Sequence, residues 1–244
     1  MIHVIYMAAG NSRRFGSNKL LYLYEGKPLY RHGLELLLKL KQEMGEKLTV
    51  TVVTQYAEIL EEVQDIFERC GMAGMQAVFC EESRLGASYT IRAGIEAVIS
   101  QDPVSGQPKE GQSMMGEKDY LMFMVADQPH LTLDSVRKLI RAAVSCEQSA
   151  FSGPLAEECS RWETLSLRCG STPGNPCMFR ADLIPELMSL TGDQGGRKVL
   201  HREFQDLSIV YRVVINEDKN GIQSTKVTDE LAGRLGMNEE QLFK

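Results

Sequence analysis

The run YLMFMVA, residues 120–126, constrains the fold more than any other stretch of this chain. It carries no charge and shows no alternation of apolar and polar positions, so neither of its faces can be wet. A strand of that kind sits in the middle of a sheet covered on both sides, usually one with parallel neighbours. Three further short runs rich in β-branched and aromatic residues read as strands: IHVIYM (2–7), LTVTVVT (48–54) and QAVFC (76–80).

Between these runs the apolar period changes to three or four. Ile59, Leu60, Val63, Ile66, Phe67 and Cys70 share one helical face, and Val136, Leu139, Ile140, Ala143 and Val144 share another. Strand alternating with helix predicts an α/β fold of Rossmann-like type, three layers around a mostly parallel central sheet. Residues 101–118 mix Pro, Gly, Ser and charge without a period and read as a surface loop. Beyond residue 150 the spacing predicts strands at 164–169 and 177–180 joined by GSTPGNP, then two short helices, a strand at 209–215 and an amphipathic tail. No repeat or linker divides the chain, so a single domain over residues 1–244 is expected, its later part folding over the sheet.

Composition excludes several classes of function. A formal net charge of −6 disfavours nucleic acid or an anionic membrane as a partner. No apolar run approaches the roughly 18 residues of a membrane span, and the first ten residues lack the pattern of a signal peptide. The six cysteines, at 70, 80, 146, 159, 169 and 177, form no CxxC pair, and the histidines at 3, 32, 130 and 201 form no cluster. Reduced thiols in a cytoplasmic protein are expected.

Against this acidic background, residues 8–31 hold five basic side chains (Arg13, Arg14, Lys19, Lys27, Arg31) and one acid, Glu25. The segment MAAGNSRRFGSNKL follows the first strand, at the sheet edge where α/β folds bind ligands. Its Gly16 leads to Ser-Asn-Lys, which excludes a P-loop, and Gly10 has no glycine two residues on, which excludes the dinucleotide fingerprint. Small residues Ala8, Ala9 and Gly10 allow a flat base or a phosphate to approach the main chain. Turn N–H groups then bind phosphate oxygens while Arg13, Arg14 and Lys19 neutralise charge. A solvated basic loop is the alternative. At the second edge position, in VADQPHLT, Asp127 follows the buried strand directly. It reads either as a ligand for Mg²⁺ or as an Asx-turn acid before a helix capped by Thr132.

MAAGNSRRFGSNKLL, with GKPL after it, resembles the LAAGxSxRxGxxKLL…GxPL signature of MobA-like nucleotidyltransferases, most of all the molybdenum cofactor cytidylyltransferase branch. LGASYTIRAGI resembles that branch's G-x-S-x-S-x-R-x-G segment, ADQP its GDxP metal motif, GNPCMF its GHPVLF and LTGDQGGRKVL its LxGDxGAR-LL. The blocks keep the family's order from residue 2 to about 215.

The resemblance implies a fold of the nucleotide-diphospho-sugar transferase type, with roughly residues 1–100 binding nucleotide and 150–215 binding acceptor. It implies transfer of a nucleotidyl group from a nucleoside triphosphate, CTP by the Ala-Ala-Gly turn, to a phosphorylated pterin such as molybdopterin, with Mg²⁺ and release of pyrophosphate. A molybdenum hydroxylase would be the client protein. Arg14, Lys19 and Asp127 become the catalytic candidates, with Asp127 on the metal. Ala8, Ala9, Gly10, Ser12, Arg13, Gly86 and Ser88 become the nucleotide contacts, and Asn175, Pro176, Asp193 and Arg197 the acceptor contacts. Asp193 also reads as a helix N-cap, Arg197 as a surface residue and Cys177 as core. Transfer to a sugar or polyol phosphate and a non-catalytic cofactor carrier remain as other readings.

Two departures stand out. Ser224 and Lys226 occupy the places of the family's DIDTPEDL aspartates, and Asn175 stands where His is common. Three readings of the tail stay open: Asp127 holds the metal with few protein ligands, Asp218 or Asp229 reaches in, or activity is lost.

Overall fold

The computed structural model describes residues 1–12, 15–100, 115–116, 119–148, 164–169, 172–199 and 214–215. Nine strands and five α-helices occur among them: β1 (Ile2–Ala8), β2 (Leu23–Tyr24), β3 (Lys27–Pro28), α1 (Leu29–Met44), β4 (Leu48–Thr54), α2 (Ala57–Cys70), β5 (Met75–Phe79), α3 (Ala87–Ser100), β6 (Tyr120–Val125), α4 (Leu133–Gln148), β7 (Thr164–Cys169), β8 (Thr172–Arg180), α5 (Ile184–Met188) and β9 (Val214–Ile215). Seven strands form one sheet in the order β5-β4-β1-β6-β8-β7-β9, and β2 and β3 form a separate hairpin. β5, β4, β1 and β6 run parallel, β8 runs antiparallel to β6 and β7, and β9 is parallel to β7.

Side-chain alternation along the strands builds two cores. Val4, Tyr6, Val52, Met122 and Met124 pack under α1, α2 and α4, where Leu37, Val63 and Leu139 are fully buried. Ile5, Val53, Leu121, Phe123 and Phe179 pack under α3 and α5 through Ile91, Ile95 and Leu187. Helices on both faces of a mostly parallel sheet give the three layers expected. Glycines set two of the helix approaches. A Cβ on Gly33 of α1 would stand 2.5 Å from the Tyr6 hydroxyl, and one on Gly94 of α3 would stand 2.4 Å from Ile5 Cγ2.

From β1 the chain builds outward through β4 to β5, then returns to place β6 on the other flank of β1. The gap above β1 and β6 is therefore the topological switch point, where an open α/β sheet binds its ligands. The sequence reading is corrected on two points. The later part does not only fold over the sheet, as α5 does, but also extends it, because β8 pairs with β6 from Phe123↔Cys177 to Tyr120↔Arg180. The expected loop GSTPGNP is largely strand, since β8 begins at Thr172 and pairs with Cys169 beyond a register shift between Ser166 and Arg168. Of the strand expected at 209–215, only Val214–Ile215 falls within the described residues.

Candidate active site

The turn after β1 is held by the end of β4. Gln55 Nε2 donates to the Ala9 carbonyl at 2.6 Å and to Asn11 Oδ1 at 3.0 Å, and the Tyr56 hydroxyl donates to the Gly10 carbonyl at 2.8 Å. These bonds engage two carbonyl oxygens that would otherwise repel an anion. Ala8 and Ala9 are themselves buried, so what they offer a ligand is main chain. Space is open above Gly10, where an added Cβ would meet nothing within 4 Å.

Ser12 adopts φ 49°, an unusual value for a residue with a side chain. From there its carbonyl accepts from the Phe15 N–H at 2.8 Å and its hydroxyl accepts from the Lys19 N–H at 3.1 Å. Asn18 caps the short 3-10 turn that follows, its Oδ1 accepting from the Leu20 N–H at 3.0 Å. Lys19 thus starts a turn fixed from both sides.

Lys19 Nζ donates to Asp127 Oδ2 at 2.5 Å. Asp127 follows β6 as Lys19 follows β1, so the ion pair spans the switch point. Both side chains remain partly accessible, 22% and 34%, and a pair so exposed is worth only about 0–1 kcal/mol. A stronger ligand for either partner opens it. Beneath lies Tyr6, donating to the Tyr30 carbonyl at 2.6 Å. Burial first, and the Asp127 charge second, raise its phenol well above the usual value, so it stays neutral.

On the α3 face of the same strand ends lies a cavity of about 220 Å³. Met7, Val125, Phe123 and Ile91 form an apolar floor, with Ala87 at the start of α3. Asn175, Cys177, Gly195, Gly196 and Arg197 form the facing wall. Burial pushes the Cys177 thiol up to about 12, so it lines the wall as a neutral group.

The structure therefore brings Lys19 and Asp127 together, and it brings Asn175 and Arg197 to one cavity. Pro176 is buried and Asp193 is exposed, and neither lines that cavity. Ser88 is fully buried, and both its N–H and its hydroxyl donate to the Gly192 carbonyl. Gly86 lies against the main chain of Gly192 and Asp193. Arg13, Arg14, Asp218, Ser224, Lys226 and Asp229 lie outside the described residues. The sequence reading missed Gln55 and Tyr56, although they follow a strand at its carboxyl end and that position could have singled them out.

Asp127 suits a hard divalent cation by its chemistry: a carboxylate at the strand end, 34% exposed. The Oε1 of Gln128, next to it, is buried and has no hydrogen-bond donor. Among the described residues no group of three or more His, Cys, Asp or Glu could hold a metal ion. One carboxylate from the protein fits a divalent cation that is carried mainly by its other ligands.

A mostly parallel sheet between helix layers, with its polar edge at the switch point, is the arrangement of a ligand-binding three-layer α/β fold. The chain belongs to the MobA-like NTP transferase family, whose domain matches residues 4–207, and is a nucleotidyltransferase of that family. It is 24% identical over 200 residues to the purine catabolism protein PucB of Bacillus subtilis (strain 168), covering 80% of this chain and 78% of PucB. The crystal structure of Rv0371c from Mycobacterium tuberculosis H37Rv superposes with a TM-score of 0.56 at 17% identity, over 94% of this chain and 97% of that one. Its complex with manganese gives 0.53 at 17% identity, over 88% and 87%. A structure of 4-diphosphocytidyl-2C-methyl-D-erythritol synthase gives 0.52 at 15% identity, over 94% and 97%. No helix among the described residues is long and apolar enough to cross a membrane.

Proposed function

We propose that the protein transfers CMP from CTP to the phosphate of a pterin-type cofactor such as molybdopterin. An acceptor phosphate oxygen attacks the α-phosphorus, forming a new P–O bond while the bond to the β-phosphate oxygen breaks and pyrophosphate leaves. That oxygen is already anionic near neutral pH, so the protein needs no nucleophile of its own. Its task is positioning and the neutralisation of charge on the transferring group.

The observation that carries this reading is the Lys19–Asp127 pair across the ends of β1 and β6. Lys19 exchanges Asp127 for phosphate oxygens when the triphosphate enters, and Arg14 adds a second positive charge. Asp127, freed from Lys19, would hold the metal. Mg²⁺, when bound, supplies further neutralisation of the phosphates. Ala8, Ala9 and Gly10 offer main chain to base and ribose, and Ser12 fixes the start of the Lys19 turn. Asn175 and Arg197 bind the acceptor, whose ring rests on the apolar floor of the cavity. In this reading roughly residues 1–100 serve the nucleotide and 150–215 the acceptor within one domain. A molybdenum hydroxylase receives the product in the cytoplasm.

Transfer to a polyol phosphate is the second reading, favoured by the likeness to the erythritol synthase. The floor of Met7, Phe123, Val125 and Ile91 fits a flat ring better than a polyol. The test is pyrophosphate release with each of the four nucleoside triphosphates, Mg²⁺ and either molybdopterin or a panel of sugar and polyol phosphates. CTP with molybdopterin is expected to give the fastest release. No release with any pair would remove the enzyme reading and leave a cofactor carrier.

A further inference from the structure

The turn 190–196 contains Gly192, Gly195 and Gly196 and follows directly on the short helix α5. The turn closes on itself once, the Gln194 N–H donating to the Thr191 carbonyl at 3.1 Å and the Thr191 N–H to Gln194 Oε1 at 3.2 Å. That closure does not tie it to the rest of the fold, and its glycines leave the backbone around it many conformations. Yet Gly195, Gly196 and Arg197 are part of the cavity wall. Something else must fix them.

The hold comes from the first turns of α3, at two carbonyls with one residue between them, those of Gly192 and Leu190. The Ser88 N–H and Oγ donate to the Gly192 carbonyl at 3.1 and 2.8 Å, and Ser88 is fully buried. One turn further along, the Arg92 guanidinium donates to the Leu190 carbonyl at 2.5 Å and lies over the Tyr89 ring, 4.4 Å from its centroid. Gly86, at φ 145°, lets the two backbones meet: a Cβ there would stand 2.2 Å from the Gly192 carbonyl carbon and oxygen. The helix that supplies these groups is itself pressed onto β1 at Gly94 against Ile5. An unbroken set of contacts therefore runs from β1, which carries the nucleotide turn, through α3 to the cavity wall.

We propose that Ser88 and Arg92 are positioning residues that set the acceptor wall relative to the nucleotide turn. This rests on the reading of the cavity as the acceptor site. Ser88 uses its hydroxyl on the wall instead of on the nucleotide, and Arg92 uses its charge on a main-chain carbonyl, where charge-assisted bonds are stronger than neutral ones.

Two measurements on Ser88→Ala, Arg92→Met and Arg92→Lys test the assignment, with melting curves showing that each variant is folded. In the free protein, amide hydrogen exchange across residues 189–199 should rise at least tenfold in Ser88→Ala and Arg92→Met, while peptides of β1 and β6 keep wild-type rates. In pyrophosphate release with CTP, Mg²⁺ and molybdopterin, the two variants should lose about tenfold in kcat/KM for the acceptor. KM for CTP should stay within twofold, and Arg92→Lys should recover most of the loss. Unchanged exchange at 189–199 would overturn the proposal. So would a rise in KM for CTP in Ser88→Ala with the acceptor unaffected, which would make Ser88 a nucleotide contact. If wild type turns over no acceptor, the proposed reaction fails, and the exchange rates alone decide whether α3 holds this wall.

Discussion

The turn after β1 and the 190–196 turn are both held at their carbonyls by side chains of a neighbouring element, Gln55 and Tyr56 on Ala9 and Gly10, Ser88 and Arg92 on Gly192 and Leu190. The first, however, leads to the Lys19–Asp127 ion pair and the second to a cavity with an apolar floor. The two arrangements match different needs. In the proposed reading the first side takes a polyphosphate, whose dense charge calls for a cation and a carboxylate at set positions, and the partly exposed Lys19–Asp127 pair supplies both. The cavity on the other side has an apolar floor and a wall of glycine main chain with Asn175, Cys177 and Arg197, which suits recognition by shape with a few polar contacts. The difference teaches where substitutions should act: on one side through charge, on the other through the placement of backbone.

The largest expected effect is on the charged side. Asp127→Asn should lower turnover by about 10²–10³-fold, the scale on which a group stabilising transition-state charge acts. Melting should change little, since the Lys19–Asp127 pair is half-exposed. A fall confined to KM for the acceptor would break the comparison, because it would put Asp127 on the wrong side of the site.

Gly86→Ala comes next and acts on the opposite side. The added methyl and the φ of 145° both oppose the native contact with Gly192, so kcat/KM for the acceptor should drop by more than about tenfold. The dissociation constant for CTP should change by less than threefold in calorimetry. Equal losses for both substrates would show that the two sides are one unit. Lys19→Met should weaken CTP binding by about tenfold, as the loss of one charge-assisted contact implies, with acceptor binding unchanged.

The smallest effect sharpens the contrast through reactivity. Cys177, buried and held protonated, should alkylate far more slowly at pH 8 than the exposed Cys70, because only the thiolate is a good nucleophile. Iodoacetamide labelling followed by peptide mass spectrometry reads both residues at once. Equal labelling would mean that the cavity wall opens readily.

Much of this was legible in the sequence, for identifiable reasons. The buried strands announced themselves as unbroken apolar runs, and LTVTVVT was read to its last residue. Lys19 and Asp127 could be expected at one edge because each follows a strand of the same parallel sheet. β8 was misread because Thr172-Pro173-Gly174-Asn175-Pro176 carries turn residues. Its strand conformation comes from pairing with β7 around a register shift, which local propensity does not encode. The hold on the 190–196 turn was illegible for a related reason. Ser88 and Gly192 are 104 positions apart, and nothing in either segment names the other. Only the topology, which sets α3 beside the end of α5, brings them into contact.

The proposal that Lys19 and Asp127 serve one metal–polyphosphate complex is tested most directly by titrating CTP calorimetrically into wild type and Asp127→Asn, each with and without Mg²⁺. The account predicts that Mg²⁺ tightens CTP binding to wild type by at least about tenfold and that the variant loses this gain while still binding CTP. The same gain in both proteins would contradict it.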